Sequence, residues 1–187
     1  MKKRTIALLM AVVMLFGATV GGTIAWLTAK TDPVVNTFTP SDIAITLTET
    51  PNDGDSWKAQ LIPGKEYAKD PVVAVDRTKT NVDVYLFVKI EEANNPATYL
   101  EYEYVTSGWT ELTAGSKIYW REVKATDTDI SWNLLKDNKV TVRTSVTKGM
   151  LTANDFKNPT ISFKAYAIQT LGFANAEAAW TEVSKLS

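Results

Sequence analysis

Cysteine and histidine are both absent from the 187 residues. Without cysteine there is no disulfide framework, no lipid-modified cysteine and no thiolate chemistry, so an exported form of the chain must rely on its core. Without histidine the commonest general base and zinc ligand are missing, and with them every HExxH, Ser-His-Asp and Cys-His constellation. Excess charge is scarce too: 20 Lys+Arg stand against 21 Asp+Glu, a formal net charge of −1. That balance gives no electrostatic reason to expect nucleic acid or anionic lipid as a ligand. A Gly-rich phosphate loop is also lacking, since Gly64-Lys65 is followed by Glu66 and lacks the motif's glycine five residues upstream, where Ala59 stands. No internal repeat or low-complexity segment stands out.

One hydrophobic run is present. Lys2, Lys3 and Arg4 precede residues 5–29, which carry no charge and have their apolar centre at Ile6 to Phe16. This is the pattern of a signal peptide. The small residues of Thr23-Ile24-Ala25 place cleavage after Ala25, with the stretch around Ala29 as second choice. Left uncut, the run is long enough to anchor the chain in a bilayer. No second run of that length follows, and the closing Thr-Glu-Val-Ser-Lys-Leu-Ser predicts neither a C-terminal anchor nor a sorting tail. Removing residues 1–25 leaves 17 Lys+Arg against 21 Asp+Glu, a net charge of about −4. The mature chain of roughly 160 residues suits one domain with a core that needs no staples.

From Asn36 onward, strand signals dominate. Ile43, Ile45 and Leu47 alternate with Ala44, Thr46 and Thr48, placing one face on a core. Pro51 to Asp55 and Pro63-Gly64 read as turns, and the stretch Tyr67–Val75 puts Val73 and Val75 on one face. Asp83–Ile90 carries the strongest alternation: Val84, Leu86, Val88 and Ile90 face one way, Tyr85, Phe87 and Lys89 the other. Apolar residues on both faces predict a central strand. A loop at Asn94-Asn95-Pro96 leads to an aromatic section, Tyr99–Val123, which turns at Ser107-Gly108 and Ala114-Gly115 divide into further strands. Lys139–Val146 and Thr160–Gln169 alternate again. Thr152–Phe156 reads as one short helical turn, and Ala176, Ala179, Trp180 and Val183 fall at helical spacing after an Asn175 cap. Short strands about ten residues apart, without a βαβ rhythm, predict an all-β antiparallel sandwich with one or two short helices.

Several patterns could carry chemistry, and each has a plain structural explanation. Ser145-Val146-Thr147-Lys148 has S-x-x-K spacing but lies in a strand-like run, without the S-D-N or K-T-G segments that accompany such a nucleophile. Glu101 and Glu103 would share a strand face with Cα atoms roughly 7 Å apart, a spacing that suits either a glycosidase acid pair or solvated carboxylates. Asp53-Gly54-Asp55 and Asp127-Thr128-Asp129 are oxygen-rich and could hold calcium, but turn chemistry predicts the same clusters. Trp109, Tyr119, Trp120 and Trp132 could form a sugar-stacking platform, although neighbours Tyr119 and Trp120 must point to opposite sheet faces, so at least one belongs to the core.

Other segments resemble a known family. The signal ending Gly21-Gly22-Thr23-Ile24-Ala25-Trp26-Leu27-Thr28, then Asn36-Thr37-Phe38-Thr39 and Asp42-Ile43-Ala44-Ile45-Thr46-Leu47, are similar to the start of TasA/camelysin-like proteins. Pro63-Gly64-Lys65, Lys69-Asp70-Pro71-Val72-Val73, Val84-Tyr85-Leu86-Phe87-Val88, and Ala165-Tyr166-Ala167-Ile168-Gln169 with Ala179-Trp180 are similar to its later segments. The resemblance implies a jelly-roll sandwich, export by a Gram-positive bacterium and processing by a SipW-type signal peptidase. It also implies subunits that polymerise into extracellular biofilm-matrix fibres, a neighbour's N-terminal strand completing each sheet. Some members are described as metallopeptidases; a chain without histidine departs from any conventional zinc pattern, and that activity does not carry over.

Together these observations predict three parts: a signal peptide at 1–25, an N-terminal arm at 26–35 and a β-sandwich domain at 36–187. Trp26, Leu27, Thr28, Ala29, Val34 and Val35 favour extension in the arm, while Pro33 keeps it from being a fully bonded central strand of its own domain. An arm of this kind suits a neighbour's open sheet edge. The expected protein is non-enzymatic, without cofactor or metal, with its own copies as main partner and accessory matrix proteins as further candidates. It would meet the membrane only before signal cleavage. A secreted lectin-like module and a camelysin-type surface peptidase are the alternatives.

Overall fold

The longest strands grow from the stretches with the strongest alternation. In the computed structural model, which describes residues 42–49 and 60–186, β4 (Val84–Ala93) lies between β10 (Thr160–Gln169) and β7 (Ile118–Val123), and β6 (Thr110–Glu111) extends the sheet beyond β7. Two further sheets have the orders β1-β3-β8 and β2-β9-β5, built from β1 (Ile45–Thr48), β2 (Glu66–Ala68), β3 (Val72–Val75), β5 (Leu100–Glu101), β8 (Ser131–Asn133) and β9 (Lys139–Val142). Each pairing between these strands is antiparallel. The fold is the all-β sandwich that the strand spacing predicts. Among the described residues three short α-helices accompany it: α1 (Pro96–Tyr99), α2 (Lys148–Leu151) and α3 (Ala176–Val183). No helix among the described residues is long and apolar enough to cross a membrane.

The two smaller sheets join end to end into one layer facing the β10-β4-β7-β6 sheet. Backbone bonds carry the ladder across the junction, from Leu134 N–H to Pro71 O and from Lys69 N–H to Asn138 O, both 2.9 Å. The register slips there. From Ala68, opposite Lys139, to Val72, opposite Asn133, is four steps along one strand and six along the other. The extra residues form a turn at Lys136–Asn138, where Asp137 and Asn138 take φ of 55° and 52°. Asp and Asn tolerate that left-handed backbone better than other side chains with a Cβ.

Both faces of β4 are buried near its middle, as its sequence predicts. Val84, Leu86, Val88 and Ile90 meet Val73 and Val75 of the facing layer in the inner core, while Phe87 lies on the outer face beneath Ala176, Ala179 and Val183 of α3. Asn175 caps this helix by accepting a bond from Ala178 N–H at 2.9 Å. Cover by α3 reaches half of the outer face, and the sequence of β10 follows suit. Tyr166 and Ile168 stand opposite Phe87 and Tyr85 near the helix; Ser162 and Lys164 stand opposite Glu91 and Lys89 away from it. There Glu91 bridges Lys89 and Lys164 at 2.8 and 3.1 Å, relieving the like charges placed side by side.

Some expectations change. Ile43 and Ile45 pack on the inner core as predicted, but Leu47 is 38% exposed, because β1 is an edge strand flanked by β3 alone among the described residues. Tyr67–Val75 divides at Lys69-Asp70-Pro71 into strands of two sheets. The alternation of Lys139–Val146 stops pairing at Val142, and a turn follows. The helix expected at Thr152–Phe156 forms earlier, at α2, because Thr147 supplies the cap: its side chain accepts from Met150 N–H. Residues 152–156 hold only a turn closed by Phe156 N–H to Ala153 O. The turn expected at Pro51 to Asp55 lies outside the described residues.

Inner-face burial of β4 sets the stability scale. Leu86→Ala is expected to lower unfolding free energy by about 2–5 kcal/mol, against less than about 0.5 kcal/mol for Ser162→Ala on the exposed face, as measured by urea denaturation.

Candidate functional site

The arm residues Trp26, Leu27, Thr28, Ala29, Val34 and Val35, the cleavage position Ala25 and the Asp53-Asp55 cluster lie outside the described residues. The remaining candidates can each be placed.

Of the four aromatic residues grouped from sequence, the structure brings two together. Tyr119 packs on the inner core, opposite Val88; Trp120 points outward, opposite Phe87, and stands edge-on to Tyr85 at 5.6 Å. A four-membered platform is therefore ruled out by the pleat. Trp109 and Trp132 meet edge to face with ring centres 6.2 Å apart at the lateral rim between the layers. Arg121, opposite Leu86 and so on the inner face, completes the group. Its guanidinium carbon lies 4.1 Å from the Trp132 ring centre and 5.2 Å from that of Trp109. Burial pushes the Arg121 pKa down, opposed by the charges of Asp129 and Asp127; the ring faces provide the remaining compensation. Gly108 makes room, since a Cβ there would approach the guanidinium to 3.3 Å, and its φ of +75° favours glycine independently.

Beside this stack, at the register slip, is a cleft of ≈ 400 Å³. Trp109 and Trp132 form its aromatic side and Val105 and Leu135 its apolar floor. Ser107, Ser131, Asn133 and Asn138 bring neutral hydroxyl and amide groups, and Lys136 and Asp137 bring one charge of each sign. Two polar atoms of lining residues are buried without a hydrogen-bond partner among the described residues: Trp109 Nε1, a donor, and Asn138 Oδ1, an acceptor.

A second polar cluster closes the end of the inner core. Glu92 continues the inner face of β4 beyond Ile90, accepting from the Tyr104 hydroxyl of the facing layer and from Lys117 Nζ at 2.6 Å. Burial pushes the Glu92 pKa up, but bonds from Lys117, Tyr104 and Tyr102 outweigh it and leave the carboxyl below its usual range. Burial and the Glu92 charge push Tyr102 up to about 12 and Tyr104 higher still. Such phenols stay protonated as donors, which makes this an inter-layer clasp.

The other candidates are solvated or occupied in local structure. Glu101 is exposed on β5, and Glu103 is tied to Lys136 at 2.8 Å. Asp127 accepts from Lys124 N–H at 2.8 Å and Asp129 from Trp132 Nε1 at 3.3 Å. Ser145 lies in a turn, not a strand, and the cap of the helix beginning at Lys148 is Thr147. Among the described residues no group of three or more acidic side chains is arranged to hold a metal ion. Sequence reasoning missed Arg121, Asn138 and Glu92. Arg121 had a signal, a charge at an inner position of the Tyr119-Arg121-Val123 alternation; Asn138 had none. No protein-family model, curated protein or solved structure matches the chain.

Two measurements probe these clusters. Because the Glu92 pKa is lowered on folding, its contribution is complete above the unfolded value near 4.5 and is lost as pH falls through the lower folded one. Glu92→Gln should therefore flatten the fall in urea midpoint between about pH 5 and pH 3 relative to the parent. Gly108→Ala, which meets both strain and the guanidinium, should cost about 1–3 kcal/mol and alter the near-UV circular dichroism of the tryptophans.

Proposed function

We propose that the chain is a secreted structural subunit that polymerises by β-strand exchange into extracellular or cell-surface fibres of a Gram-positive bacterium. The observation that carries this reading is the edge of β10: ten residues long, it pairs with β4 alone among the described residues. A strand of that length offers a neighbour's segment a row of backbone donors and acceptors. Support comes from the other end of the chain. Residues 26–35 have extended-strand composition and precede the point where Thr80 holds the chain, its Oγ1 accepting from Ala44 N–H at 2.8 Å. Donor and acceptor would be different surfaces, so the contact is heterologous and repeats along a filament. The resemblance to TasA/camelysin-like proteins supports the same assembly, with cleavage by a SipW-type peptidase releasing the arm.

Deleting residues 26–35 from the mature protein should leave a folded monomer, with unchanged circular dichroism and thermal midpoint, that forms no fibres by electron microscopy. Fibres at normal yield from that truncation would exclude strand donation by the arm.

A further inference from the structure

We propose that the cleft beside Trp109 and Trp132 is a saccharide site, taking a mono- or disaccharide unit of a neutral glycan. Its size lies within the range of small-molecule pockets, at ≈ 400 Å³. The chemistry of its lining narrows the class. The part-exposed Trp132 offers apolar surface to the C–H face of a sugar ring, with the buried Trp109 behind it, and Arg121 holds both in place from the core side, its guanidinium 4.1 Å from the Trp132 ring centre. Around them are hydroxyls and amides, and the only formal charges in the lining, Lys136 and Asp137, cancel. Lys136 is moreover engaged by Glu103 at 2.8 Å. An anionic ligand would therefore find no unopposed cation, and a purely apolar one would leave the polar groups stranded.

The two orphaned atoms make the case specific. Trp109 Nε1 needs an acceptor and Asn138 Oδ1 needs a donor, and both are buried in residues that line this cleft. Both atoms are closed to solvent as the side chains stand, so binding would have to turn Trp109 and Asn138 toward the cleft; a hydroxyl both donates and accepts, and a ring bearing several of them would then meet both needs at once. Leaving such groups unsatisfied is costly, and a ligand that satisfies them gains the difference. Asn138 is presented by the left-handed turn that absorbs the register slip, at φ 52°. Local backbone strain beside a cleft is a common accompaniment of binding sites. This inference is independent of polymerisation: the cleft lies at the rim near β8 and β6, whereas the long edge left unpaired among the described residues belongs to β10 at the opposite side of its sheet.

The test is calorimetric titration of the signal-free full chain with cellobiose, maltose and di-N-acetylchitobiose to about 20 mM, enough to detect millimolar dissociation constants. Digalacturonic acid serves as the anionic comparison. Trp109→Phe removes the donor and keeps an aromatic ring; Asn138→Gly removes the acceptor and accepts the left-handed backbone. At least one neutral disaccharide should bind more tightly than the anionic one, and each variant should weaken it about threefold to tenfold. Trp120→Phe, on the outer sheet face, should leave binding unchanged. Should Trp109→Phe fail to fold, Asn138→Gly decides alone. Absence of binding by all three neutral sugars, tighter binding of the anionic one, or unchanged affinity in either folded variant would overturn the proposal.

Discussion

The fold depends on burying both faces of one strand. With no disulfide available, stability must come from packing, and β4 supplies it twice over: a Val-Leu-Val-Ile stripe on the inner face and Phe87 on the outer. Each face demands a cover. The inner stripe requires a second layer of strands, and Phe87 requires α3, whose Ala176 and Ala179 are small enough to bring the helix down onto the ring. Trp180 completes the seal, 5.3 Å from both Phe87 and Tyr166. The helix is thus a consequence of where β4 places an aromatic side chain, and the sheet beyond its reach turns polar at Ser162, Lys164, Lys89 and Glu91.

An asymmetry between the layers follows. Beside β4, the strand β10 runs unbroken for ten residues, whereas the facing layer is assembled from pieces of two to four residues that join through a register slip. A long regular strand at the margin is an edge with continuous pairing capacity. A segmented layer instead opens space where its pieces fail to align, and the cleft beside Trp132 sits at that junction. Polar groups concentrate where the layers stop meeting: Arg121 between two tryptophans at the lateral rim, Glu92 under Tyr104 at the end. Glu92 is hydrogen-bonded to Tyr104 and Lys117, and Arg121 rests on the two indole faces although its Nε is buried without a hydrogen-bond partner among the described residues, so the core's margins are tied by directional contacts while its centre is held by packing alone.

Period-two alternation in β4 and β10, and the Asn175 cap with its helical spacing, were legible because each is a local pattern with a local physical cause. The register slip was not, since it arises from a mismatch between residues 68–72 and 133–139, and no window of the chain contains both. The same holds for the cleft. Trp109, Trp132 and Asn138 are joined only by strand order, so grouping aromatic residues by nearness in sequence mixed a core residue, Tyr119, and an outer-face residue, Trp120, with the two that meet. Within α2, a capping threonine one position before Lys148 outweighed the apparent helical content of Thr152–Phe156. The arm and signal segments remain expectations from composition.

Edge chemistry constrains what the proposed assembly can accept. Lys164 stands on β10 and its charge is met by Glu91, so an incoming strand would bring its own side chains against a polar outer face at one end of β10 and against Tyr166 and Ile168 at the other. An arm reading Trp26 to Val35 carries apolar residues at both ends and Lys30-Thr31-Asp32 in its middle. Pro33 lacks an N–H, so in any productive register that residue must face away from the ladder. These two conditions leave few alignments, because a slip of one residue would turn every side chain to the opposite face. Strand exchange on such an edge would therefore fix the register of the arm within narrow limits, as the alternation of side chains along β10 requires.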